Sequence, residues 1–574
     1  MSHGVVQEKV TSALLGALNG AKQKGQLISE AWPVLTLDTP KRPEWGDLAS
    51  TVAMSLASSE HKAPHDIAQI ILDNIPSREQ IFDRVEIVRP GFLNLTVKPV
   101  LWQEVLREIE SQGAGYGKSR LGQGRRVLME YVSANPTGPL HVGHGRGAAV
   151  GQAVARLLEA VGHDVVSEYY INDAGRQMKL LGASVYARFQ ELSGRAVEFP
   201  EEGYHGSYIT AVAERVKLKL GERAEALAPA DLEAQCLTLA YQDILGLIRE
   251  DLTSFGIEFQ SWFSEASLIE SRAVEQALDD LKTRDLLFEQ EGALWFRSTA
   301  YGDDKDRVIK KQGGEYTYLA SDIAYHRDKL QRGYDLLVDV WGADHHGYIP
   351  RMQAVMQAYG HPADRLHVVL VQLVKLLRAG AEVKMSKRTG SFITMREVID
   401  EVGADAAKFF FLMRDSRTHL DFDLELAKQR SADNPVYYVQ YAHARISSLW
   451  RVAAERGIAC PSAEETDLAV LTDPDELVLI RKLSAYPDVL QASATAFEPH
   501  RMTYYLQQVA GLLHTFYNKH RILPPAIEQE PAEAGPVEEL TPNKTAARLV
   551  LMRAVQQVIK NGLAVLGISA PEKM

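Results

Sequence analysis

The pattern of apolar and polar residues divides the chain into three regions with different secondary structure. In the first region, apolar residues at helical spacing alternate with short apolar runs of strand length. Helices are predicted at 1–30, at 48–58 and from Pro64 to Ile75, and strands at 33–37, 85–88 and 92–97. A glycine-rich stretch at 113–124 follows, so we predict an N-terminal α+β domain over residues 1–112.

The second region alternates segments typical of strands and of helices. Residues 126–132 are rich in apolar and β-branched side chains, and after a loop with two prolines the apolar residues recur at helical spacing up to Gly162. Further strand-like runs lie at 165–171, 308–318 (a strand–turn–strand), 335–340 and 367–373. Strand–helix–strand order with short connections is the unit of a parallel sheet. We therefore predict an α/β fold for residues 113–420, a doubly wound parallel-sheet (Rossmann) domain with a helical insertion at 185–260.

From residue 421 onward the pattern predicts helices alone. They are expected at 424–432, 436–456, 476–494, 500–520 and 545–567, separated by proline or glycine. A stretch rich in proline and glutamate, 524–542, is expected to form a surface connection. We predict a C-terminal all-α bundle over 421–574.

Composition and charge narrow the class of protein. The 574 residues are 46% hydrophobic and 24% charged, which is typical of a globular protein. A net charge of −12 argues against non-specific coating of DNA but leaves room for a local basic face. Two cysteines far apart predict a reducing compartment and no zinc site. Because neither a signal peptide nor a long apolar run is present, we expect a cytoplasmic protein with neither DNA nor a membrane as partner.

The first candidate chemistry lies at the start of the predicted helix after residue 140. His141, Gly143 and His144 stand there, at a helix N-terminus whose partial positive charge and N–H groups favour phosphate. Gly143 and Gly145 are expected to let a flat ligand approach the backbone closely. The alternative is a pair of helix-terminal histidines without a functional role.

The second candidate is a cationic loop late in the same region. Lys384, Met385, Ser386, Lys387 and Arg388 place three cations within five residues. Lysine is a point charge on a flexible stem, so this loop is suited to clamp a polyphosphate. The alternative is a solvated run of charges, which is the usual case.

Together, His-x-Gly-His at the first strand-to-helix turn and Lys-Met-Ser-Lys late in the same α/β region resemble the two signatures of class I aminoacyl-tRNA synthetases. Arg388 departs from the signature, which ends in serine. Further segments resemble the arginyl-tRNA synthetase family, and they lie at 44–47, 91–94, 133–146, 172–178, 316–325, 341–348, 437–445 and 567–574. The similarity covers nearly the whole chain.

The resemblance implies an activity. Arginine would be activated by ATP to arginyl-adenylate with release of pyrophosphate, and arginine would then pass to the 3′-terminal adenosine of its tRNA. It implies His141, His144, Lys384 and Lys387 as catalytic residues, and these four with Gly143, Met385 and Ser386 as the ATP-binding residues. Mg²⁺ would accompany ATP, with no metal held by the protein, and a monomer is expected.

The resemblance also implies substrate-binding residues. A guanidinium needs an acidic partner, and Tyr318 and Asp322 match the family's Tyr-x-x-x-Asp pair, four residues apart on one helical face. Asn135 matches the residue that holds the amino-acid end of the substrate. Asp344 and His345 follow a predicted strand, where ligands of parallel sheets bind. Asp322 as a helix N-terminal carboxylate and His345 as a structural histidine remain the alternatives.

The C-terminal bundle resembles the family's anticodon-binding domain, and the N-terminal domain its additional tRNA-binding domain. Tyr441, Arg445, Asn518 and Arg521 are the candidate tRNA contacts, because unpaired bases stack on aromatic rings and accept bonds from Arg. Aromatic residues at helical spacing are more often part of a core.

Two rival functions stay open from the sequence. The first is a synthetase for another amino acid, although a glutamyl enzyme would need cations instead of Asp322, and a cysteinyl enzyme would need metal-binding cysteines. The second is a tRNA-binding protein without catalysis, which could lose signature residues that this chain retains.

Overall fold

The computed structural model of the chain describes residues 4–383, 393–525 and 540–574. Its N-terminal region contains five helices and four strands within these bounds. They are α1 (Val5–Gln23), β1 (Leu37–Asp38), β2 (Leu48–Ser50), α2 (Val52–Glu60), α3 (Pro64–Asn74), α4 (Arg78–Ile81), β3 (Phe82–Val88), β4 (Phe92–Val97) and α5 (Pro99–Gln112). The strands form an antiparallel sheet of order β1-β2-β4-β3.

Two sequence predictions for this region are wrong in detail. Residues 48–50, predicted as the start of a helix, form β2 instead, because Leu48 pairs with Leu95 of β4 and both leucines are buried. The strand predicted at 33–37 is reduced to the two-residue β1, which pairs with the other edge of β2.

The middle region holds the predicted parallel sheet, which is confirmed. The elements up to the second half of the sheet are β5 (Arg126–Glu130), α6 (Val142–Ala160), β6 (Asp164–Ile171), α7 (Arg176–Leu192), α8 (Ser207–Leu220), α9 (Pro229–Ser254), β7 (Ser261–Ser264), α10 (Glu265–Glu270), α11 (Ala273–Thr283), β8 (Leu287–Gln290), β9 (Ala293–Phe296), β10 (Arg307–Lys310) and α12 (Tyr318–Gln331). Then follow β11 (Leu336–Gly342), α13 (Ile349–Ala358), β12 (Leu366–Val371), β13 (Val374–Arg378), β14 (Ala381–Glu382), α14 (Met395–Val402), α15 (Ala404–Leu412) and β15 (Leu420–Asp423).

The order of the main sheet locates the site. Its five strands run parallel in the order β12-β11-β5-β6-β7, so the chain proceeds from β5 to one side and returns to the other side at β11. Val127 and Met129 face one core cluster and Leu128 the other, so the sheet is buried on both faces. Between β5 and β11 the strand order reverses, and ligands of such sheets bind beyond the carboxyl ends there.

The segment at 308–318 departs from its prediction. β10 ends at Lys310, only a single bridge joins Lys310 to Tyr316, and Tyr318 already opens α12. The Thr317 hydroxyl donates to the carbonyl of Val308 at 2.9 Å, which folds the chain directly from the turn into the helix. Tyr318 is therefore a helical residue, with consequences for the site described below.

Residues 421–423, predicted as the start of the all-α region, still belong to β15, because they pair with β13. From residue 424 onward the described part of the C-terminal region consists of helices and their connections. The helices are α16 (Leu424–Lys428), α17 (Pro435–Glu455), α18 (Pro474–Ser484), α19 (Tyr486–Ala496), α20 (His500–Lys519) and α21 (Pro542–Val565). The helix predicted at 476–494 is divided at Ala485, because Pro487 has no N–H to continue the pattern. Most of the connection predicted at 524–542 lies outside the described residues.

The three regions pack on one another. The side chain of Gln103 in α5 donates to the carbonyl of Leu471 at 2.9 Å, and that of Asn561 in α21 donates to the carbonyl of Gly113 at 2.9 Å. Helices α15, α19 and α21 all contact α6, which begins at the predicted phosphate site. In the described ranges, none of the helices combines the length and the apolar composition that a membrane crossing requires.

Candidate functional site

Two adjoining cavities open beyond the carboxyl ends of β5 and β11. The larger, of about 850 Å³, is lined by residues of the loop after β5, the start of α6, and the ends of β11 and β12. The smaller, of about 420 Å³, is lined by α12 and by the ends of β5 and β11. The two cavities share the lining residues Val132, Ser133, Tyr318, Val340, Trp341, Gly342 and His345. The two cavities therefore have a common wall.

His141 and His144 form the first turn of α6 in the larger cavity. His141 is the N-cap, and its Nδ1 accepts the N–H of Gly143 at 3.1 Å, while Nδ1 of His144 accepts the N–H of His141 at 3.2 Å. The two rings stack with centroids 3.6 Å apart. Because each Nδ1 accepts a hydrogen bond, the proton of each neutral ring sits on Nε2. Each ring thus carries the donor that a phosphate oxygen requires.

Of the two glycines expected to admit a flat ligand, only Gly143 lines the cavity. A Cβ at Gly143 would lie 2.9 Å from the ring of His141, so glycine is needed for that ring to fold back over the helix start. Gly145 is buried against Met395 and Phe411, and its expected role is wrong. The helical turn places Gly147 in the cavity instead, with open space where a side chain would be.

Lys384, Met385, Ser386, Lys387 and Arg388 lie outside the described residues, but both flanks of this segment are described. On its amino-terminal side, β14 pairs with β13. On its carboxyl-terminal side, the N–H of Met395 donates to the carbonyl of Leu140 at 2.7 Å, and the N–H of Val142 donates to that of Ile393 at 3.3 Å. The carboxyl-terminal flank is therefore fixed to the first turn of α6.

Tyr318 and Asp322 line the smaller cavity together, one helical turn apart on α12. Tyr318 is 73% exposed at the mouth of the cavity, whereas Asp322 lies further inside and accepts a hydrogen bond from the hydroxyl of Tyr348. Burial raises the pKa of Asp322, against the opposing effect of the Tyr348 hydroxyl. A carboxylate in such surroundings has a strong tendency to pair with a cation.

A buried ionic cluster forms the floor of the smaller cavity. Lys329 donates to Glu130 at 2.5 Å and to Asp339 at 2.8 Å, and His326 Nε2 lies 3.2 Å from Asp339. Burial opposes charge at Lys329, yet the two carboxylates raise its pKa. With Asp322, three carboxyl groups line the cavity close to Lys329, and burial raises the pKa of both Glu130 and Asp322. A cationic ligand would favour their charged forms.

Two features of this site are not predicted from the sequence. Glu130 lines the smaller cavity as the last residue of β5. The sequence predicts a strand that continues to residue 132, so the place of Glu130 at a carboxyl end is not visible from the sequence. Val132 and Ser133 adopt positive φ angles of 67° and 39° and line both cavities. A β-branched residue in this conformation is strained, and such strain is typical of functional sites. Neither Val nor Ser predicts this backbone conformation from sequence.

The remaining predicted substrate residues also reach the larger cavity. Asn135, Asp344 and His345 line it, and His345 lines both cavities. The carboxylate of Asp344 and Nε2 of His345 are 3.7 Å apart, and both side chains are largely exposed. Asn172 lines the larger cavity as well.

A separate cavity of about 760 Å³ lies in the C-terminal helical region. Tyr441, Arg445 and Arg521 line it, together with the chain end Lys573 and Met574. The guanidinium of Arg445 lies 3.9 Å from the centroid of the Tyr517 ring and donates to Asn518 at 3.2 Å. The four candidate tRNA contacts thus gather at one place, and Tyr441 is 41% exposed there.

Among the residues that the structure describes, one group could hold a metal ion. It consists of Asp473, Asp475 and His520 in the C-terminal helical region. The Asp475 carboxylate already accepts bonds from Lys519 and His520 at 3.0 Å each, so the group is satisfied as an ion-pair cluster.

Comparison with known proteins gives consistent matches along the chain. Three family descriptions match: the arginyl tRNA synthetase N-terminal domain at 6–97, the class I (R) tRNA synthetase catalytic domain at 106–420, and the DALR anticodon binding domain at 439–574. The arginine–tRNA ligase of Citrifermentans bemidjiense is 49% identical over 99% of this chain and 100% of its own length. That of Nitratidesulfovibrio vulgaris strain DP4 is 50% identical over 95% of this chain and 96% of its own length. The solved arginyl-tRNA synthetase of Thermus thermophilus has the same fold, with a TM-score of 0.73 at 22% identity, covering 98% of this chain and all of that one.

Proposed function

The chain belongs to the arginyl-tRNA synthetase family, and from this membership we propose which residues carry each part of the reaction. As an arginine–tRNA ligase it charges tRNA with arginine and uses ATP to do so. The rival synthetases for other amino acids are thereby set aside. The residue assignments rest on one observation: a cavity at a helix N-terminus lies directly beside a cavity lined by carboxyl groups.

ATP occupies the larger cavity in this proposal. The N-terminus of α6 and the Nε2–H groups of His141 and His144 face the phosphates, where negative charge develops as pyrophosphate leaves. Gly143 and Gly147 allow the nucleotide to lie close to the helix. Lys384 and Lys387 neutralise the pyrophosphate, and Met385 and Ser386 bind ATP with them, in keeping with their place in the family signature.

Arginine occupies the smaller cavity, with its guanidinium against Asp322 and Glu130. Two carboxylates can accept the five N–H donors of a guanidinium in different directions, and Tyr318 covers the entrance. The amino-acid end then points toward the shared wall at Val132 and Ser133, where Asn135, Asp344 and His345 lie within reach of it.

The reaction follows from this placement. An oxygen of the arginine carboxylate attacks the α-phosphorus, the bond from that phosphorus to the pyrophosphate oxygen breaks, and pyrophosphate leaves with both electrons. Catalysis is positioning and charge stabilisation, so no nucleophilic side chain is required. In the second step a ribose hydroxyl of the terminal adenosine attacks the arginyl carbonyl, and AMP leaves.

Several finer statements are part of the proposal. Mg²⁺ bound to the phosphates would share their charge, as polyphosphates require in enzymes of this kind. The domains are proposed as a tRNA-binding domain at 1–112, a catalytic domain at 113–420 and an anticodon-binding domain at 421–574, and the three family matches support them. A cytoplasmic location and a monomeric state are also part of the proposal.

The test of the residue assignments is exchange of pyrophosphate into ATP, measured with arginine and tRNA present. His144→Ala should lower turnover about 10²- to 10³-fold, as expected for loss of a transition-state donor, with an unchanged KM for arginine. Glu130→Gln, which can still accept a bond from Lys329, should raise the KM for arginine and leave the KM for ATP unchanged. The opposite pattern in a folded enzyme would contradict the assignment of the two cavities.

A further inference from the structure

Arg146 is a fully buried arginine on α6, two residues beyond His144. Its guanidinium donates three hydrogen bonds, to the carbonyls of Gln372 at 2.8 Å, Thr418 at 2.8 Å and Asp415 at 3.1 Å. Burial lowers the pKa of Arg146 to about 10, and the group stays protonated at neutral pH. The Asp415 carboxylate is engaged instead by Arg417 at 2.9 Å. A buried charge held by main-chain carbonyls fixes the path of the backbone around it.

Two of those carbonyls belong to segments that are themselves joined. The N–H of Gln372 donates to the carbonyl of Ser416 at 2.8 Å, so the β12–β13 turn and the loop at 415–418 form one unit. Arg146 connects this unit to α6 through the rigid fork of its guanidinium. A lysine, with one compact ammonium group, could not match that geometry.

The connected turn is a wall of the larger cavity. Val371, Gln372 and Leu373 line it together with His141 and His144. Leu373 is an apolar side chain with 74% exposure, a surface suited to a planar base. The same turn leads through β13 and β14 to Glu382, two residues before Lys384.

The carboxyl-terminal flank of residues 384–392 is also attached to α6. The main chain of Leu140 and Val142 bonds to that of Met395 and Ile393, as described above. The start of α6 therefore holds the chain on both sides of the segment 384–392, through Arg146 on one side and through its own backbone on the other.

We propose that Arg146 is a positioning residue for ATP, which holds the Val371–Leu373 wall at a fixed place relative to His141 and His144. The proposal rests on the assignment of ATP to the larger cavity. Arg146 itself lines neither of the two cavities and acts through the backbone that it binds. Loss of the guanidinium hydrogen bonds of Arg146 should weaken the binding of ATP. It should leave the arginine cavity intact, because that cavity is built on α12, β5 and β11.

The test compares Arg146→Lys with the wild-type chain in tRNA-supported pyrophosphate exchange. We expect the KM for ATP to rise at least about tenfold while the KM for arginine stays within about twofold. Arg417→Lys is the matched control, because Arg417 binds the same loop from its exposed side and should leave both constants unchanged. A merely structural role would reduce the fraction of active enzyme and the melting temperature and leave the KM for ATP as in the wild type, which would overturn the proposal.

A second variant keeps the proposal testable if Arg146→Lys does not fold. Leu373→Ala changes only the exposed wall and should raise the KM for ATP several-fold. An unchanged KM would overturn the proposal, since Arg146 would then hold a wall that ATP does not touch. If Arg146→Lys and Leu373→Ala are both silent while His144→Ala still lowers turnover, the role of Arg146 fails and the site assignment stands. If His144→Ala is also silent, the site assignment itself fails.

Discussion

The ammonium group of Lys329 lies 2.8 Å from the carboxylate of Asp339, and neither side chain reaches the solvent. Burial alone would favour the neutral forms of both groups, but Lys329 and His326 lower the pKa of Asp339 below its usual range. Glu130 completes the cluster by accepting a bond from Lys329, which opposes the rise in the pKa of Glu130 that burial causes. Such a cluster is rigid only while every member has its partner.

Lys329→Met tests that dependence. The substitution leaves Glu130 and Asp339 buried without their cation, and we expect a loss of about 3–5 kcal/mol in the free energy of unfolding. Urea unfolding of the two proteins measures it. Lys375→Met is the control, because Lys375 pairs with Glu382 at the surface and should cost less than about 1 kcal/mol. A loss in the free energy of unfolding for Lys329→Met as small as that expected for Lys375→Met would show that the cluster is not needed for stability.

Asp322→Asn should weaken the binding of arginine without weakening the binding of ATP. The amide keeps the shape and the bond from Tyr348 but removes the charge opposite the guanidinium. We expect a loss of about 2–4 kcal/mol, which is roughly 30- to 1000-fold in the KM for arginine, with the KM for ATP unchanged. Asp328→Asn on the same helix is the control, since Asp328 pairs with Arg332 and lines neither cavity. A KM for arginine that stays normal in Asp322→Asn would remove Asp322 from the binding site.

The pH dependence of arginine use should report the same carboxylate. Because burial raises the pKa of Asp322, this group takes up a proton at a higher pH than an exposed aspartate does. The protonated form cannot pair with a guanidinium, so kcat/KM for arginine should fall about tenfold per pH unit below that pKa. Bound arginine stabilises the carboxylate, so kcat should be less sensitive to acid than kcat/KM. Asp322→Asn should abolish the difference between the two profiles, and a difference that persists would assign it to another group.

The sequence predicted the parts of this site that depend on local structure. Two prolines followed by apolar residues at helical spacing place His141 and His144 at the start of α6. Tyr318 and Asp322 share a face because they are four residues apart. Glu130 was not predicted, since an acidic residue at the end of an apolar run has no local mark of burial.

The parts that sequence analysis missed depend on segments far apart in the chain. In the sequence, Lys329 is indistinguishable from an exposed helical lysine. Its partners Glu130 and Asp339 lie on β5 and β11, and only the folded sheet places them beside it. Likewise Leu48 has helical neighbours, and only its pairing with Leu95 makes it part of a strand. Which glycine of α6 lines the cavity is decided by the packing of Gly145 against Met395 and Phe411.

Tyr441→Ala should weaken the binding of tRNA without changing the KM for arginine. Tyr441 stacks on Tyr437 and on His514, with ring centroids 5.9 Å and 5.7 Å apart, and its 41% exposed side chain lines the C-terminal cavity beside Arg445. Loss of a stacking surface should cost about 1–3 kcal/mol, or roughly 5- to 150-fold in the KM for tRNA during aminoacylation. Tyr504→Ala is the matched control, because Tyr504 is 43% exposed on α20 and does not line that cavity. Similar changes in both variants would argue against a tRNA contact at Tyr441.

Lys408 should make stability depend on pH at the boundary between the catalytic and helical regions. This lysine of α15 is buried and donates to the carbonyl of Gly567 at 2.8 Å, just after α21. Burial, with a contribution from Arg156, lowers its pKa to about 8, whereas a lysine in the unfolded chain titrates near 10.4.

Between about pH 8 and 10.4 the unfolded chain therefore binds a proton at this residue that the folded chain does not. The free energy of unfolding should therefore rise with pH across that window, by up to about 3 kcal/mol from this group. Below pH 8 Lys408 is charged in the folded protein, and the cost of burying that charge is fully present. Lys408→Met removes the titration and leaves the Gly567 carbonyl without this donor, which is a cost that does not vary with pH. From pH 7 to pH 10, the melting temperature of the wild type should therefore rise relative to that of Lys408→Met. Lys560→Met, which removes an exposed lysine of α21, is the control and should show no such relative change. A constant difference over this range would show that the Lys408 ammonium is not penalised in the folded protein.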